Sequence, residues 1–437
     1  MNNLLRAGFS RVDITPAIGD PWGWGKVERV LDPVYARVIY LEQDGGEKVI
    51  LAMADHPAFD RVADRRARAA MSQATGVPVS HVRINASHNH SCPEASWVVT
   101  ELLAGIGEKH VSLEWIETCE RRLAEAAAEA QKQAQPARAF AGSAEVPDVS
   151  ANRAFTAPDG KRVWRFGVYP QTHAQHELCR NGAIGLIDPI AGILCFRALD
   201  DKPIVTLVNF ACHVTTQSGR AKEVSADFPG DLARQIEAAT GGPLFFLQGA
   251  CGNVGTGRYA DGSSEMTREL ARRIADPVLR AFPRLEEMRP APLRLLSWTE
   301  HVKLHPRIPD AAAIRGKLVP SIDTNEPSKS AQWQWASMLN AVQDPLTREL
   351  DLFVLQAGDW CLAGLPGESM VESAIALRAA SPAPYTIVGA YFDCSLWYIP
   401  NFGRLQTADF ESNGVWDYTA PGTSEQITAA MIRRLRQ

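Results

Sequence analysis

Hydrophobic runs alternate with polar turns and amphipathic stretches along the whole chain. Pairs of apolar runs around short polar turns predict three β-hairpins, at 37–55, 192–213 and 350–368. Apolar residues at helical spacing predict helices that end near glycine or proline, at 61–76, 112–135, 229–242 and 264–282. Ser264 is the predicted cap of the last of these helices. Together the elements predict one mixed α/β domain over 1–437, with a large mixed β-sheet core flanked by helices.

Side chains with metal-binding or catalytic chemistry follow several of the apolar runs. His88 and His90 follow one run and His213 a second. Glu368 and Tyr398 stand after two later runs. In open α/β sheets, functional groups collect where strands end, so we expect these side chains to form one site. Imidazole and carboxylate groups are common zinc ligands, which makes a metal-dependent enzyme the leading hypothesis.

Each of these side chains also has a purely structural interpretation. The two histidines at 88 and 90 could lie exposed in a loop, and His213 could be hydrogen-bonded at the end of its strand. Glu368 could be an ordinary charge in the first turn of a helix that we expect to begin near it. Tyr398 could pack within its aromatic run. Their common placement after hydrophobic strands favours the metal site.

Composition narrows the class of protein. The 437 residues include 45 basic and 50 acidic ones, for a formal net charge of −5, so nucleic-acid binding has little support. The N-terminus does not resemble a secretory signal, and no apolar run is long enough to span a membrane. A cytoplasmic protein without a stable membrane anchor is therefore expected. The eight cysteines contain no CxxC pair and are expected to be small buried hydrophobic residues.

An ordered set of short motifs resembles the catalytic domain of the neutral/alkaline ceramidase family. The motifs are AGFSRVDITP, SHNHSCP, NFACHVTT with SADFPGD, FLQGACGNV, LPGE and WYIP. The similarity extends from about residue 6 to 410, and it implies the mixed α/β fold of that domain. The family's C-terminal immunoglobulin-like domain and its signal peptide are not expected here.

The resemblance also implies roles for individual residues. His88, His213, Glu368 and Tyr398 match the residues that hold the family's zinc ion. His90 matches a histidine close to the metal, which could move a proton. Arg153 matches an active-site arginine, which would hold a carbonyl oxygen or a carboxylate of the substrate. Asp55 and Asp227 match two acidic residues near the site, which could orient an imidazole.

Two matched positions depart from the family pattern. The serine implicated in ceramidase activity is replaced by Gly249, and a nearby aspartate by Asn253. Gly249 would stand in a tight loop beside the metal, with backbone N–H groups facing the substrate. Trp22 and Trp24, in a glycine-rich PWGWG segment, are expected to form part of a pocket wall.

The sequence therefore predicts a zinc-dependent hydrolase that cleaves an amide bond of a small or moderately sized soluble substrate. The alternatives are a ceramidase-like lipid amidase and an ester or lactone hydrolase with the same metal site. A non-catalytic small-molecule binding protein is a third possibility. The expected partner is a small-molecule substrate, and a homo-oligomer is the alternative to a monomer.

Overall fold

Two β-sheets form the scaffold of the computed structural model, which describes residues 5–23, 25–43, 46–217, 222–319, 326–407 and 409–437. In these residues the larger sheet has nine strands: β1 Leu5–Asp13, β2 Tyr35–Gln43, β3 Lys48–Ala54, β4 Val82–Ala86, β5 Gln135–Glu145, β6 Ile190–Ala198, β7 Pro203–Phe210, β8 Leu244–Gln248 and β9 Glu286–Glu287. The smaller sheet has four: β10 Arg294–His301, β11 Glu349–Ala357, β12 Trp360–Pro366 and β13 Tyr385–Phe392.

Eleven α-helices occur in the described part of the chain. They are α1 Arg61–Thr75, α2 Trp97–Ala104, α3 Leu113–Lys132, α4 His176–Asn181, α5 Asp227–Thr240, α6 Ser264–Ala281, α7 Ala311–Arg315, α8 Glu326–Gln343, α9 Val371–Ala380, α10 Phe402–Leu405 and α11 Thr423–Leu435. None of these helices combines the length and the apolar character that crossing a bilayer requires. All eight cysteines are buried and free, as predicted.

The larger sheet is mixed, as predicted. Its strand order is β8-β7-β6-β5-β1-β2-β3-β4, with β9 paired to β5. The pairs β3–β4 and β7–β8 are parallel, and the other pairs are antiparallel. The predicted hairpins β2–β3, β6–β7 and β11–β12 are all confirmed.

Three segments of the chain share one order of elements that the sequence did not reveal. Each consists of an antiparallel hairpin, a helix and a strand that pairs in parallel with the second hairpin strand. The segments are β2-β3-α1-β4, β6-β7-α5-β8 and β11-β12-α9-β13. Their last strands, β4, β8 and β13, contact one another. The carboxyl ends of these parallel pairs therefore meet in one region.

Both faces of the larger sheet are covered by helices. Side chains of a strand alternate between the two faces. In β2, Val38 and Tyr40 face the core that contains α1 and α3, whereas Ile39 and Leu41 face the core that contains α5 and α6. The sheet is thus buried on both sides, which explains the nearly continuous apolar runs of its central strands.

Local capping explains where the helices begin and end. The Asp60 carboxylate accepts a hydrogen bond from the backbone N–H of Ala63 and begins α1, and Gly76, with φ of 72°, ends it. The cap of α6 is Ser263, so the prediction of Ser264 is wrong by one residue. Both serines can cap, and the extended backbone of residue 263 decides between them.

Candidate metal centre and active site

Two imidazoles and one carboxylate converge from three distant segments of the chain. Nε2 of His88 lies 2.8 Å from Nε2 of His213. Oε2 of Glu368 lies 3.3 Å from Nε2 of His88 and 3.2 Å from Nε2 of His213. Each residue follows the second or last strand of one of the three repeated segments, which is why they meet. All three side chains are almost completely buried.

A backbone carbonyl accepts a hydrogen bond from Nδ1 of each imidazole, on the opposite side of the ring from Nε2. Nδ1 of His88 donates to the carbonyl oxygen of Pro57 at 2.9 Å, and Nδ1 of His213 donates to that of Cys251 at 2.8 Å. A carbonyl accepts only, so these bonds place the proton of each neutral ring on Nδ1. Both Nε2 atoms are then lone-pair acceptors, and they face each other at hydrogen-bond distance without a proton between them.

This arrangement of acceptors fits a cation. Oε2 of Glu368 is buried and has no hydrogen-bond partner among the described residues. Three acceptors therefore share one buried point, which is repulsive unless a positive charge lies between them. Histidine ligands of metals typically donate their second N–H to a carbonyl or carboxylate, as both do here. The donor set of two imidazoles and one carboxylate suits zinc.

The charge states of these groups agree with that fit. Burial, and secondarily the guanidinium of Arg153, lower the pKa of His213 to about 3. Burial raises the pKa of Glu368, but a proton on His88 or His213 beside the carboxylate would lower this pKa by more than burial raises it, so positive charge at this point keeps the carboxylate ionised. A neutral imidazole and an ionised carboxylate are the forms that bind metal ions.

His90 completes a group of three imidazoles. Its Nε2 lies 3.1 Å from Nε2 of His88, and the candidate ligand atoms of His88, His90 and His213 lie within 4.8 Å of one another. Burial is the largest cause that lowers the pKa of His90 well below its usual value. Both His88 and His90 line one cavity, in agreement with the expectation that they belong to one site.

Glu368 does not stand in a helix. It lies in the short strand Glu368–Ser369, which pairs in parallel with Tyr398–Ile399 and places Glu368 opposite Tyr398. The helix α9 begins only at Val371, so the predicted helix start near Glu368 is wrong. Gly367, with φ of 52°, turns the chain into this short strand.

Arg153 is fully buried beside the histidines. Its Nη1 donates to the hydroxyl oxygen of Tyr398 at 2.7 Å and to the carbonyl of Gly252 at 3.0 Å, and lies 3.2 Å from Nε2 of His213. Its Nε lies 3.6 Å from a carboxylate oxygen of Glu411. Four aromatic rings surround the guanidinium carbon within 6 Å, those of Trp164, Phe166, Tyr398 and Phe410.

The backbone around the site is held in unusual conformations. His88, Tyr391 and Trp397 have φ of 61°, 62° and 54°, in the left-handed region that side chains rarely adopt. The ring of Tyr391 lies 4.2 Å from that of His88, and its hydroxyl lies 3.1 Å from Sγ of Cys251. Such strained residues often cluster at functional sites, because the surrounding packing must hold them in place.

Asp55 and Asp227 do not orient an imidazole in the described structure, so that prediction is wrong for both. The Asp55 carboxylate accepts from Arg37 at 2.6 Å and from the backbone of Tyr35. The Asp227 carboxylate accepts from the hydroxyl of Thr216 and from backbone N–H groups beside it. Neighbouring groups donate to both carboxylates, although Oδ1 of Asp55 has no hydrogen-bond partner among the described residues. The carbonyls of Pro57 and Cys251 hold the rings instead.

Gly249 lies within the sheet interior rather than on the cavity wall, so the predicted contact with substrate is wrong. Its N–H donates to the carbonyl of Phe210 at 3.0 Å, and its backbone bridges to Gly389. A Cβ atom at this position would lie 2.9 Å from backbone atoms of Ala211. Close backbone approach therefore requires glycine here.

We expect the substitution Gly249→Ser to destabilise the protein by about 1–3 kcal/mol, because the added side chain must displace backbone. The free energy of unfolding in denaturant measures this effect. We expect no gain of ceramide hydrolysis. A variant as stable as the wild type that hydrolyses ceramide would show that the serine position was matched correctly and that the packing argument fails.

The cavity in front of the histidines has a volume of about 690 Å³. His88, His90, Glu368 and Tyr398 form part of its wall. Aromatic residues supply much of the rest, namely Trp22, Phe166, Trp333, Trp397, Phe410 and Trp416. The predicted pocket role is thus confirmed for Trp22, whereas Trp24 lies outside the described residues.

Several groups at the site were not predicted from the sequence. Glu411 pairs with Arg153, and Glu94 and His110 line the cavity with a hydrogen bond of 3.0 Å between them. Glu94 stands four residues after His90, so its proximity to the histidine motif was a signal that could have been used. Glu411 lies in the short 3₁₀ helix Phe410–Ser412 and His110 in a loop, and neither residue belongs to a motif.

Comparison with known proteins identifies the fold. No family model matches the sequence, and neither does any curated protein. Among solved structures, neutral ceramidase from Pseudomonas aeruginosa matches with a TM-score of 0.75 and 18% identity, over 100% of this chain and 74% of that chain. A ceramidase complexed with C2 matches with a TM-score of 0.75 and 17% identity, over 99% and 75% of the two chains. The chain thus has the neutral ceramidase fold, as the motifs predicted.

Proposed function

We propose that this protein is a zinc-dependent hydrolase that cleaves an amide bond of a small or moderately sized soluble molecule. One observation carries the proposal. Two imidazole Nε2 atoms, both without a proton, face each other at 2.8 Å beside a buried carboxylate oxygen that lacks a hydrogen-bond partner among the described residues. The fold shared with neutral ceramidase supports the choice of an amide bond.

His88, His213 and Glu368 would hold the ion, with Tyr398 on the adjoining strand as a further ligand. A zinc ion bound there lowers the pKa of a water molecule and polarises a carbonyl group. His90 lies beside His88 and faces the cavity, so its Nε2 can accept a proton from the attacking water. The same atom can then donate that proton to the leaving amine.

Arg153 and Tyr398 act together on the substrate oxygen. Because Nη1 of Arg153 donates to the Tyr398 oxygen, the phenolic proton is free to point elsewhere. Tyr398 lines the cavity, so when it is not a metal ligand its hydroxyl can donate to the oxygen that gains negative charge. Arg153 itself is fully buried, and its charge stabilises that oxygen through Tyr398.

The cavity supports a substrate of limited size. Its volume of about 690 Å³ lies in the range typical of small-molecule sites. Aromatic side chains form much of its wall, and displacement of water by a bound substrate would strengthen the electrostatic contribution of the charged groups. These properties fit a soluble molecule with apolar parts.

A hydrolysis screen tests the proposal. Zinc-loaded protein, chelator-treated protein and zinc-restored protein are compared on matched N-acyl amides, esters and lactones, with ceramide as a lipid substrate. We expect amide cleavage that disappears with the chelator and returns with zinc. Cleavage confined to esters or lactones would replace the amide assignment. Activity that survives complete metal removal would overturn the metal mechanism.

Substitution of His90 separates proton transfer from metal binding. We expect His90→Gln to keep its zinc and to lose about 10²–10⁴-fold in kcat, the usual contribution of a general acid–base group. Zinc content by mass spectrometry of metals and single-substrate kinetics measure the two effects. If zinc is lost together with activity, His90 is a third imidazole ligand instead.

A further inference from the structure

A second polar group lies in the cavity wall, apart from the metal ligands. Nε2 of His110 donates to Oε1 of Glu94 at 3.0 Å, and the indole N–H of Trp333 donates to the same oxygen at 3.1 Å. All three residues line the cavity. Glu94 is 93% buried, with 7% of its surface exposed, and comes from the loop after the histidine motif. Trp333 comes from α8.

The carboxylate of Glu94 is fixed in one orientation. Both of its described hydrogen bonds reach Oε1, which leaves Oε2 for a further donor. Burying a carboxylate is costly unless it is paired, and two donors on one oxygen satisfy it only in part. A ligand that brings its own N–H groups or a positive charge would complete the set.

The surface beside Glu94 is made of indole rings. The ring centres of Trp333 and Trp416 lie 4.6 Å apart, and those of Trp397 and Trp416 lie 5.2 Å apart. Their planes are inclined by 55° and 60°, so they form an angled wall rather than one flat stacking surface. The negative faces of indoles attract cations, and their area also covers the carbons that carry the charge.

We propose that Glu94, held by His110 and Trp333, binds an ammonium group of the substrate, with the tryptophan wall against the adjoining carbons. The substrate class is then an amide that carries a basic amine at a distance from the bond that breaks. Glu94 determines specificity and takes no part in the bond cleavage. The choice of an amide rests on the proposed function, whereas the ammonium site itself rests only on this cluster.

Ligand binding tests the site without any reaction. Zinc-loaded full-length protein is titrated with pentylammonium, pentanol and pentanoate, three probes of similar size but different charge, by tryptophan fluorescence and calorimetry. We expect pentylammonium to bind at least tenfold more tightly than the other two probes. Lys222, a cation, also lines the cavity near Trp22, so an anion such as pentanoate is the competing probe. Preferential binding of pentanoate, or equal affinity for all three probes, would overturn the proposal.

Substitution of Glu94 localises the preference. Glu94→Gln keeps the size of the side chain and is expected to remove the tenfold preference for pentylammonium. Glu101→Gln is the control, because it removes the same charge from an exposed position on α2. This variant is expected to keep the preference for pentylammonium. If Glu94→Gln does not fold, Trp333→Phe removes one donor to the carboxylate and is expected to weaken the preference at least threefold. A preference that survives in the folded Glu94 variant, or in Trp333→Phe when that variant is used, contradicts the assignment.

The hydrolysis screen keeps the two proposals distinguishable. Ammonium binding that depends on Glu94, without hydrolysis of any substrate, would leave the ammonium site standing and overturn the proposed function. Amide hydrolysis without selectivity for an ammonium-bearing substrate would overturn the ammonium site and leave the proposed function standing. We expect both, with kcat/KM for an N-acyl diamine at least tenfold above that for the matched N-acyl alkylamine. Glu94→Gln should remove the tenfold difference between the two values.

Discussion

Glu368→Gln is expected to lose most of its zinc and at least ~10³-fold in kcat/KM, as is typical when a charged ligand of a catalytic ion is removed. The carboxylate supplies the negative charge between two neutral imidazoles, and an amide of the same shape does not. The side chain is buried, and glutamine keeps its volume, so the fold should persist. Zinc content and kinetics at saturating zinc measure the two losses.

A neighbouring glutamate provides the matched control. Glu372, in the first turn of α9, accepts from the side chain of Asn253 and does not line the cavity. We expect Glu372→Gln to keep its zinc and its activity. Full zinc content and unchanged kinetics in Glu368→Gln would remove this carboxylate from the metal site.

Arg153→Met is expected to lower both activity and stability. Loss of the charge beside Tyr398 should cost about 10²–10³-fold in kcat, as is typical for groups that stabilise a developing oxyanion. The same change leaves Glu411 buried without its ion-pair partner, at a cost of about 3–5 kcal/mol in the free energy of unfolding. Kinetics and denaturant unfolding measure the two effects.

A double variant separates the two roles of Arg153. Glu411→Gln in the Arg153→Met background removes the unpaired charge and should restore much of the stability. Activity should stay low, because the donor to Tyr398 is still missing. Recovery of activity together with stability would mean that Arg153 has only a structural role.

Local pattern was enough to predict the scaffold and part of the candidate site. The hairpins and helices follow from apolar spacing and from caps such as Asp60 and Gly76, which act within a few residues. The convergence of His88, His213 and Glu368 follows from the general rule that functional groups gather at strand ends. The motif resemblance placed Arg153, whose irregular segment has no readable periodicity.

What the sequence could not predict depends on contacts between distant segments. The carbonyl of Cys251 holds His213, and Glu411 pairs with Arg153 from 258 positions further along the chain. Any residue can supply a carbonyl, so no side-chain pattern marks it. Asp55 was assigned to an imidazole, but Arg37, on the neighbouring strand, takes that carboxylate. The sequence contains both residues, and only the register of β2 and β3 brings them together.

The repeated order of hairpin, helix and parallel strand also went unnoticed in the sequence. The three segments share an arrangement of elements, yet each delivers a different type of side chain, and their strands carry different apolar residues. A repeat of topology alone leaves no fixed sequence period. The structure shows it because strand pairing is visible directly.

Anomalous diffraction from crystals grown with zinc tests the central claim most directly. Data collected on both sides of the zinc absorption edge should show one strong peak within about 2.0–2.2 Å of Nε2 of His88, Nε2 of His213 and a carboxylate oxygen of Glu368. A fully refined zinc-soaked crystal without an ion at that point, or with the two imidazoles turned away from each other, would contradict the account.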